Sequence, residues 1–408
     1  MKKRILFLAH SALRGGAEFC LDTTLRNLDR EKIEPFVIFP TDGPMADSAH
    51  EMGIPVEIEP LCWWMLYEPS FWEWKNRLRT PFRLHRLKNF LKKNRIDAVY
   101  SNTVCIFEGV LAARALGIPH FTHIHEVLED RFMRPRWFSL PRITNFFYRN
   151  SRTVFFESDP SRKIAEAHLR TTHSRSRNAE KQLDELCARS AVVSNSSRLT
   201  LEEAEHFQEK EARPAWEKLR GSGIDPEKWT VLWLGRFSER KNPHMLLRAA
   251  AQLPESVREN IQFIFAGAGP LETSLRQEIA HSALETTCRL IPFQDDIRPL
   301  LRLANVLTLT SWEESFGLVL VEAGMFAKPA IAVRSQGPAE IIQNGATGFL
   351  ADPDDSRMLA EHLLTLFRDP ELSARLGRQN RERVLDLYDP VKNTAKIVQE
   401  FLKVPKRW

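Results

Sequence analysis

Short runs of β-branched and apolar residues recur along this chain, each followed by a longer stretch with helical spacing. A first series consists of Lys3–Ala9, Phe36–Phe39, Asp97–Ser101, His120–Ile124, Thr153–Phe156 and Ala191–Ser194. A second consists of Thr230–Leu234, Ile261–Ala266, Arg289–Pro292, Val306–Thr310 and Ala330–Val333. Strands that alternate with helices are joined by crossovers, so they lie parallel and carry helices on both faces. The expected fold class is α/β, with two doubly wound, Rossmann-like domains facing each other across an interdomain cleft. Gly221-Ser-Gly-Ile-Asp-Pro226 separates the two series and has the composition of a linker. The domains are accordingly expected at 1–222 and 223–389, with a helix over about 390–408 placed to pack back on the first. Ligands of such sheets bind beyond the carboxyl ends of the strands.

A length of 408 residues suits this division, and both halves are long enough to bury a core. The formal net charge is only +5, which argues against a nucleic-acid partner. The five cysteines (Cys20, Cys62, Cys105, Cys187 and Cys288) are odd in number and include no CxxC pair. They read as reduced thiols of a cytoplasmic protein. The apolar run Ile5–Ala9 is too short for a signal-peptide core, and no apolar stretch is long enough to span a bilayer. Two features point at surfaces. The stretch Arg149–Arg198 is rich in cations, among them Arg175 and Arg177. It is either a solvated helical face or a surface drawn to anionic lipid or a polyanionic acceptor. The aromatic stretch Cys62–Trp74, with Trp63 and Trp64, is either core or a loop against acceptor or membrane. The expected location is cytoplasmic, with a peripheral contact at the inner face of an anionic membrane as the further reading.

Four constellations carry chemistry. In Leu234-Gly-Arg-Phe-Ser-Glu-Arg-Lys-Asn242, two cations, Arg236 and Lys241, follow the end of a strand. A diphosphate leaving group needs positive charge where its negative charge grows. Arg offers a planar fork there and Lys a compact point charge; the plain alternative is two solvated charges on a loop. In Thr310-Ser-Trp-Glu-Glu-Ser-Phe-Gly-Leu-Val-Leu-Val-Glu-Ala323, Glu314 lies in a loop and Glu322 inside an apolar helix that begins near Gly317. An ionised carboxylate in that setting needs a partner, and vicinal ribose hydroxyls suit it. The amides at the helix start are open to sugar hydroxyls or phosphate. Alternatively, one glutamate caps and the other is salt-bridged. Arg14-Gly-Gly-Ala-Glu18 follows the first strand, and Gly15 and Gly16 either let a phosphate approach the backbone or make a plain tight turn. In His120-Phe-Thr-His-Ile-His-Glu126, His123 and His125 share one side of a strand. No HExxH or cysteine pair supports zinc there, and His125, at the strand's carboxyl end, is the better candidate for a ligand-facing residue. Gly267-Ala-Gly-Pro270 resembles the start of a dinucleotide fingerprint, but Glu272 stands where its third glycine would be. These glycines read as a turn.

Together these pieces resemble the family-4 retaining glycosyltransferases of the GT-B fold, over nearly the whole chain and most strongly from about Trp229 to Pro353. The GRxxxxKN run at 235–242 is similar to that family's phosphate-binding segment. Glu314 and Glu322, with seven residues between them, are similar to its paired glutamates, with Ser315 in the place often held by glycine. Gly267-Ala-Gly-Pro270, Gln336–Glu340 and Thr347–Leu350 are similar to further blocks, whereas the N-terminal half matches less closely.

The resemblance implies that Arg236 and Lys241 bind the donor diphosphate and that Glu322 holds the ribose. Glu314, with the backbone amides of Phe316, Gly317 and Leu318, would face the donor sugar. Gly15 and Gly16 would approach the diphosphate, and His125 would lie near the reacting sugar. It implies a hexosyltransferase that uses a nucleoside-diphosphate sugar, needs no cofactor or metal, and retains anomeric configuration through same-face attack. The acceptor would be a saccharide or lipid-linked saccharide, in the synthesis of cell-surface polysaccharide or glycolipid. Alternatives are a GT-B sugar-nucleotide epimerase and a non-catalytic scaffold homologue.

Overall fold

The computed structural model describes residues 2–63, 77–129, 135, 138–173, 179–221 and 223–405. Residues 64–74 of the aromatic stretch, and Arg175 and Arg177 of the basic one, lie outside them. The chain forms two compact units, one made of Met1–Arg198 and Pro390–Trp408, the other of Leu199–Asp389.

The first unit is built on a parallel sheet of β1 (Lys3–Leu8), β2 (Ile33–Phe39), β3 (Val56–Ile58), β4 (Ala98–Ser101), β5 (His120–Ile124), β6 (Thr153–Phe156) and β7 (Ser190–Val192). Their spatial order is β3-β2-β1-β4-β5-β6-β7. The second unit holds a parallel sheet of β8 (Trp229–Leu234), β9 (Ile261–Ala266), β10 (Cys288–Ile291), β11 (Val306–Leu309), β12 (Ala330–Val333) and β13 (Gly348–Ala351), in the order β10-β9-β8-β11-β12-β13. In both sheets the winding reverses beside the first strand, between β1 and β4 and between β8 and β11. Such a reversal splays the following loops apart and opens a crevice at the carboxyl ends.

The strands are apolar on both faces because helices cover both. Ile5, Phe7, Ala98, Tyr100 and Phe121 pack in one cluster of the first unit, and Leu6, Leu8 and Val99 in another. The second unit divides likewise, with Leu232, Leu307 and Leu320 in one cluster and Val231, Trp233 and Phe263 in the other. Each fully buried large side chain contributes about 2–3 kcal/mol.

The boundary lies after Arg198 rather than after 222. Helices Leu201–His206 and Glu209–Arg220 go with the second unit because their apolar faces are buried there. Trp216 is buried with them, and its indole nitrogen donates to the carbonyl of Pro299 at 2.8 Å. Residues 223–226 therefore lead into β8 inside the second unit. The helix Pro390–Leu402 belongs to the first unit. Its Phe401 is fully buried there, with ring centroids 5.1 Å from Phe121 and 5.9 Å from Phe7.

Candidate functional site

Each unit carries a polar constellation where its winding reverses. In the second unit, Trp233 near the end of β8 is fully buried, and its indole nitrogen donates to Thr310 Oγ1 at 2.9 Å, just past β11. The Thr310 hydroxyl donates in turn to the backbone carbonyl of Lys241 at 3.1 Å. The amide of Trp312 donates to the carbonyl of Arg240 at 2.9 Å. The loops after β8 and β11 are thus laced together, and Lys241 is held against Glu314. Its ammonium bonds Glu314 Oε2, which also accepts from the Ser311 hydroxyl at 3.0 Å. Burial alone would push the Glu314 carboxyl up, but Lys241 and Arg240 together outweigh it and hold the group below its ordinary value.

Arg236 is exposed on the same loop. Glu322 is buried inside the helix Leu318–Met325. Gly317 precedes that helix at φ +101°, and Leu318 is its first residue. Phe316 is buried with its ring edge-on to Tyr388, centroids 5.4 Å apart, so its side chain is core and only its backbone can serve a ligand. The glycine turn after β9 packs beneath the cation loop: a Cβ at Gly267 would lie 1.8 Å from the carbonyl oxygen of Gly235. The amide of Phe237 donates to the carbonyl of Ala268 at 3.0 Å. These glycines shape the loop that presents Arg236.

In the first unit, Gly15 caps the helix Gly16–Arg26 in extended conformation. Gly16 is exposed, and a Cβ there would meet nothing within 4 Å. Glu18, in the first turn, is buried and its carboxylate lies 3.2 Å from His10 Nε2. Burial raises its pKa, opposed by His10. The His10 carbonyl accepts from the indole nitrogen of Trp63 at 2.8 Å, so this aromatic residue is tied to the loop after β1. His125 follows β5 and is buried, with Nδ1 3.0 Å from Glu157 Oε2 and Nε2 3.0 Å from Asn102 Oδ1. Asn195 donates to the same Glu157 oxygen. Glu126, next in the chain, accepts from the Thr103 hydroxyl.

The His123 ring stacks near His125, centroids 4.1 Å apart, and its Nδ1 lies 2.6 Å from the Tyr100 hydroxyl. Burial pushes the His123 pKa well below the usual histidine range, and the neighbouring His125 adds to that. His120, at the other end of the strand, is buried between the hydroxyls of Ser101 and Ser151. Among the described residues no group of three His, Cys, Asp or Glu side chains is placed to hold a metal ion.

Sequence reasoning picked out His125, Glu314, Arg236, Lys241 and Glu322 and missed Asn102, Glu157, Asn195, Arg240 and Ser311. Asn102, His125 and Glu157 are each the first residue past their strand. Reading the position just beyond every strand would have found them together.

A family model described as Glycosyltransferase Family 4 matches residues 14–210, and one described as Glycosyl transferases group 1 matches residues 214–383. The chain belongs to glycosyltransferase family 4. Among curated relatives of this family-4 chain, N-acetyl-alpha-D-glucosaminyl L-malate synthase of Bacillus anthracis is 28% identical over 44% of this chain and 45% of its own length. The chain thus spans under half the length of that relative. Alpha-D-kanosaminyltransferase of Streptomyces kanamyceticus is 25% identical over 66% of this chain and 67% of its own length. The solved structure of Anabaena HepE with UDP and glucose superposes with a TM-score of 0.78 at 23% identity, covering 98% of this chain and 99% of that one. A glycosyltransferase of Rickettsia africae superposes at 0.75 with 17% identity, covering 99% of this chain and 100% of the other. The fold is GT-B. Among the described residues no helix of this glycosyltransferase-family chain is long and apolar enough to cross a membrane.

Proposed function

We propose that this protein transfers a hexosyl unit from a nucleoside-diphosphate sugar to a hydroxyl of a saccharide or lipid-linked saccharide, with retention of anomeric configuration. The observation that carries the reading is the pair of half-buried Lys241 and buried Glu314 on the loops after β8 and β11, beside the exposed Arg236. A cation already lodged at the carboxyl end of a reversing sheet needs no reorganisation when a diphosphate arrives. HepE was crystallised with UDP-glucose, and a donor of that class is proposed here.

In this reading Arg236 and Lys241 neutralise the diphosphate as the bond to the sugar breaks, in place of a metal. Glu322 accepts from the ribose hydroxyls, and Glu314 faces the donor sugar with the amides of Phe316, Gly317 and Leu318. Gly15 and Gly16 let the diphosphate approach the start of the first helix, and His125 lies at the sugar. The acceptor hydroxyl attacks from the face the diphosphate leaves, and a phosphate oxygen takes its proton. The setting would be the cytoplasm, at the inner membrane face where lipid-linked acceptors of cell-surface polysaccharide or glycolipid are extended.

The experiment is a thermal-shift screen with UDP, GDP, ADP, CMP and their sugar conjugates. A ligand at about 100 times its Kd stabilises by about 2.7 kcal/mol. One nucleotide family should raise the wild-type Tm and leave Arg236→Ala unmoved. Turnover of that variant should fall by about two orders of magnitude, or about 3 kcal/mol. Near-normal turnover in Arg236→Ala would remove the phosphate role.

A further inference from the structure

The amino ends of β5, β6 and β7 border a groove that the transfer reaction leaves unused. Its volume is about 700 Å³. Pro119, Arg152 and Arg189 line it, and each is the residue just before one of those strands. Ligands of a parallel sheet bind beyond the carboxyl ends, where His125 stands, so this groove lies at the opposite edge. Its floor is polar: His120 and Ser151 are buried there, with Nδ1 of the histidine 3.0 Å from the serine Oγ. Its walls carry Arg149, Arg152, Arg189 and Lys403, all exposed, against one carboxylate, Glu400. Glu400 is already engaged, by the Lys403 ammonium and by the Thr153 hydroxyl at 3.2 Å.

Among the described residues, Arg152 and Arg189 meet no carboxylate. Each donates instead to a carbonyl at a helix end. Nη1 of Arg189 reaches the Tyr148 carbonyl at 3.3 Å, in the last turn of Leu140–Asn150. Nη2 of Arg152 reaches the Lys403 carbonyl at 3.4 Å, just past Pro390–Leu402. Capping the carboxyl end of a helix is an ordinary use of a basic side chain. One N–H accounts for each cap, however, and a guanidinium has about five. The caps hold both forks at the groove with donors to spare. The two arginines leave from neighbouring strands, whose spacing is about 4.8 Å.

We propose that this groove binds an anion bearing two or more phosphate groups. Arginine forks match phosphate oxygens two at a time, and adjacent forks suit adjacent phosphates. No described Phe, Tyr or Trp lines the groove, so nothing there stacks on a nucleotide base, and its recognition is by charge. The groove shares no residue with the donor phosphate site proposed at Arg236 and Lys241, so the inference goes beyond the proposed function and does not depend on it.

The test is isothermal titration of the full chain with tripolyphosphate and with fructose 1,6-bisphosphate. Arg236→Ala serves as the parent protein, so that the donor site contributes little. Arg152→Gln with Arg189→Gln removes both charges while keeping an N–H on each side chain, and should weaken binding about tenfold or more. Glu400→Gln removes the opposing charge and should tighten binding about threefold. A capping role alone for the arginines predicts no such gain, and this variant leaves both caps in place. Circular dichroism and Tm confirm that the variants are folded. Binding of the bisphosphate would assign the groove to a phosphorylated sugar, and binding of tripolyphosphate alone to an inorganic phosphate chain. Failure of the parent to bind either probe would overturn the proposal. So would undiminished binding by the double glutamine variant, or no tightening in Glu400→Gln. A chain that binds tripolyphosphate in this way but ignores every sugar nucleotide would leave the inference standing while the transferase reading fails.

Discussion

Nδ1 of His125 lies 3.0 Å from Oε2 of Glu157, and that carboxylate fixes the orientation of the ring. The other ring nitrogen faces Asn102 Oδ1, and Asn102 is itself fixed because its amide nitrogen donates to the carbonyl of Ala17 at 2.8 Å. Glu157→Ala would leave buried donors on His125 and Asn195 without their acceptor, at a cost of about 1–3 kcal/mol. Glu157→Gln keeps an acceptor in place and should recover part of that. Urea denaturation of the three proteins measures it, and an alanine variant as stable as wild type would show that Glu157 does not support the ring.

Lys241 is expected to matter for the fold as well as for a ligand. Glu314 is buried, with its pKa held down by Lys241 and Arg240 against the effect of burial. A carboxylate with a lowered folded pKa contributes stability above the unfolded value of about 4.5, which is lost as pH falls through the folded one. Lys241→Met strands the carboxylate, so the loss at neutral pH should be about 3–5 kcal/mol. That deficit should shrink in acid, as protonation removes the stranded charge. Arg236→Ala, an exposed change, should stay within about 0.5 kcal/mol of wild type. Unfolding curves at several pH values separate the two variants.

Two glycines should behave oppositely. Gly267→Ala places a Cβ 1.8 Å from the Gly235 carbonyl oxygen, so backbone must move, and a loss of about 3 kcal/mol is expected. Gly16→Ala meets open space and should leave stability unchanged within about 0.5 kcal/mol. Its effect should instead appear as a smaller nucleotide-induced shift, because the methyl group keeps phosphate from the backbone. Melting curves with and without nucleotide test both; an unaltered shift in Gly16→Ala would place the phosphate elsewhere.

His120 sets an acid limit on the first unit. Burial lowers its pKa to about 3. A histidine depressed in the folded state is protonated first in the unfolded chain. Its contribution is therefore complete above about pH 6.5 and declines down to about pH 3, at up to about 1.4 kcal/mol per pH unit. His120→Gln should flatten the fall in stability between pH 6 and 4, to the extent that His123 does not sustain it. An unchanged slope in that variant would clear His120 of the effect.

Much of the fold was legible because period and punctuation speak locally. Strands such as Ile261–Ala266 and Thr153–Phe156 stand at the limits read from sequence. Val56–Ile58, three residues at a sheet edge, and Gly348–Ala351 carry too little apolar pattern and were not read as strands. The Gly and Pro of 221–226 read as a linker, whereas the compact unit that buries Trp216 begins at Leu199. In the candidate site, Lys241 and Glu314 were visible through their motifs. Glu157, Asn102 and Asn195 were not, because they come from three separate loops and acquire meaning only when parallel strands bring those loops to one edge.

The helix Pro390–Leu402 has a consequence for how the molecule is made. Phe401 closes the aromatic cluster around Phe7, Tyr100 and Phe121, and the Lys3 ammonium donates to the carbonyl of Val404 at 2.7 Å. On the ribosome, the first unit is therefore synthesised long before its core can close. The entire Leu199–Asp389 unit emerges in between, about 10–40 s of translation at ordinary rates. The unit that starts first finishes last, and for that interval the part of its sheet around Phe7, Tyr100 and Phe121 waits without its last covering helix.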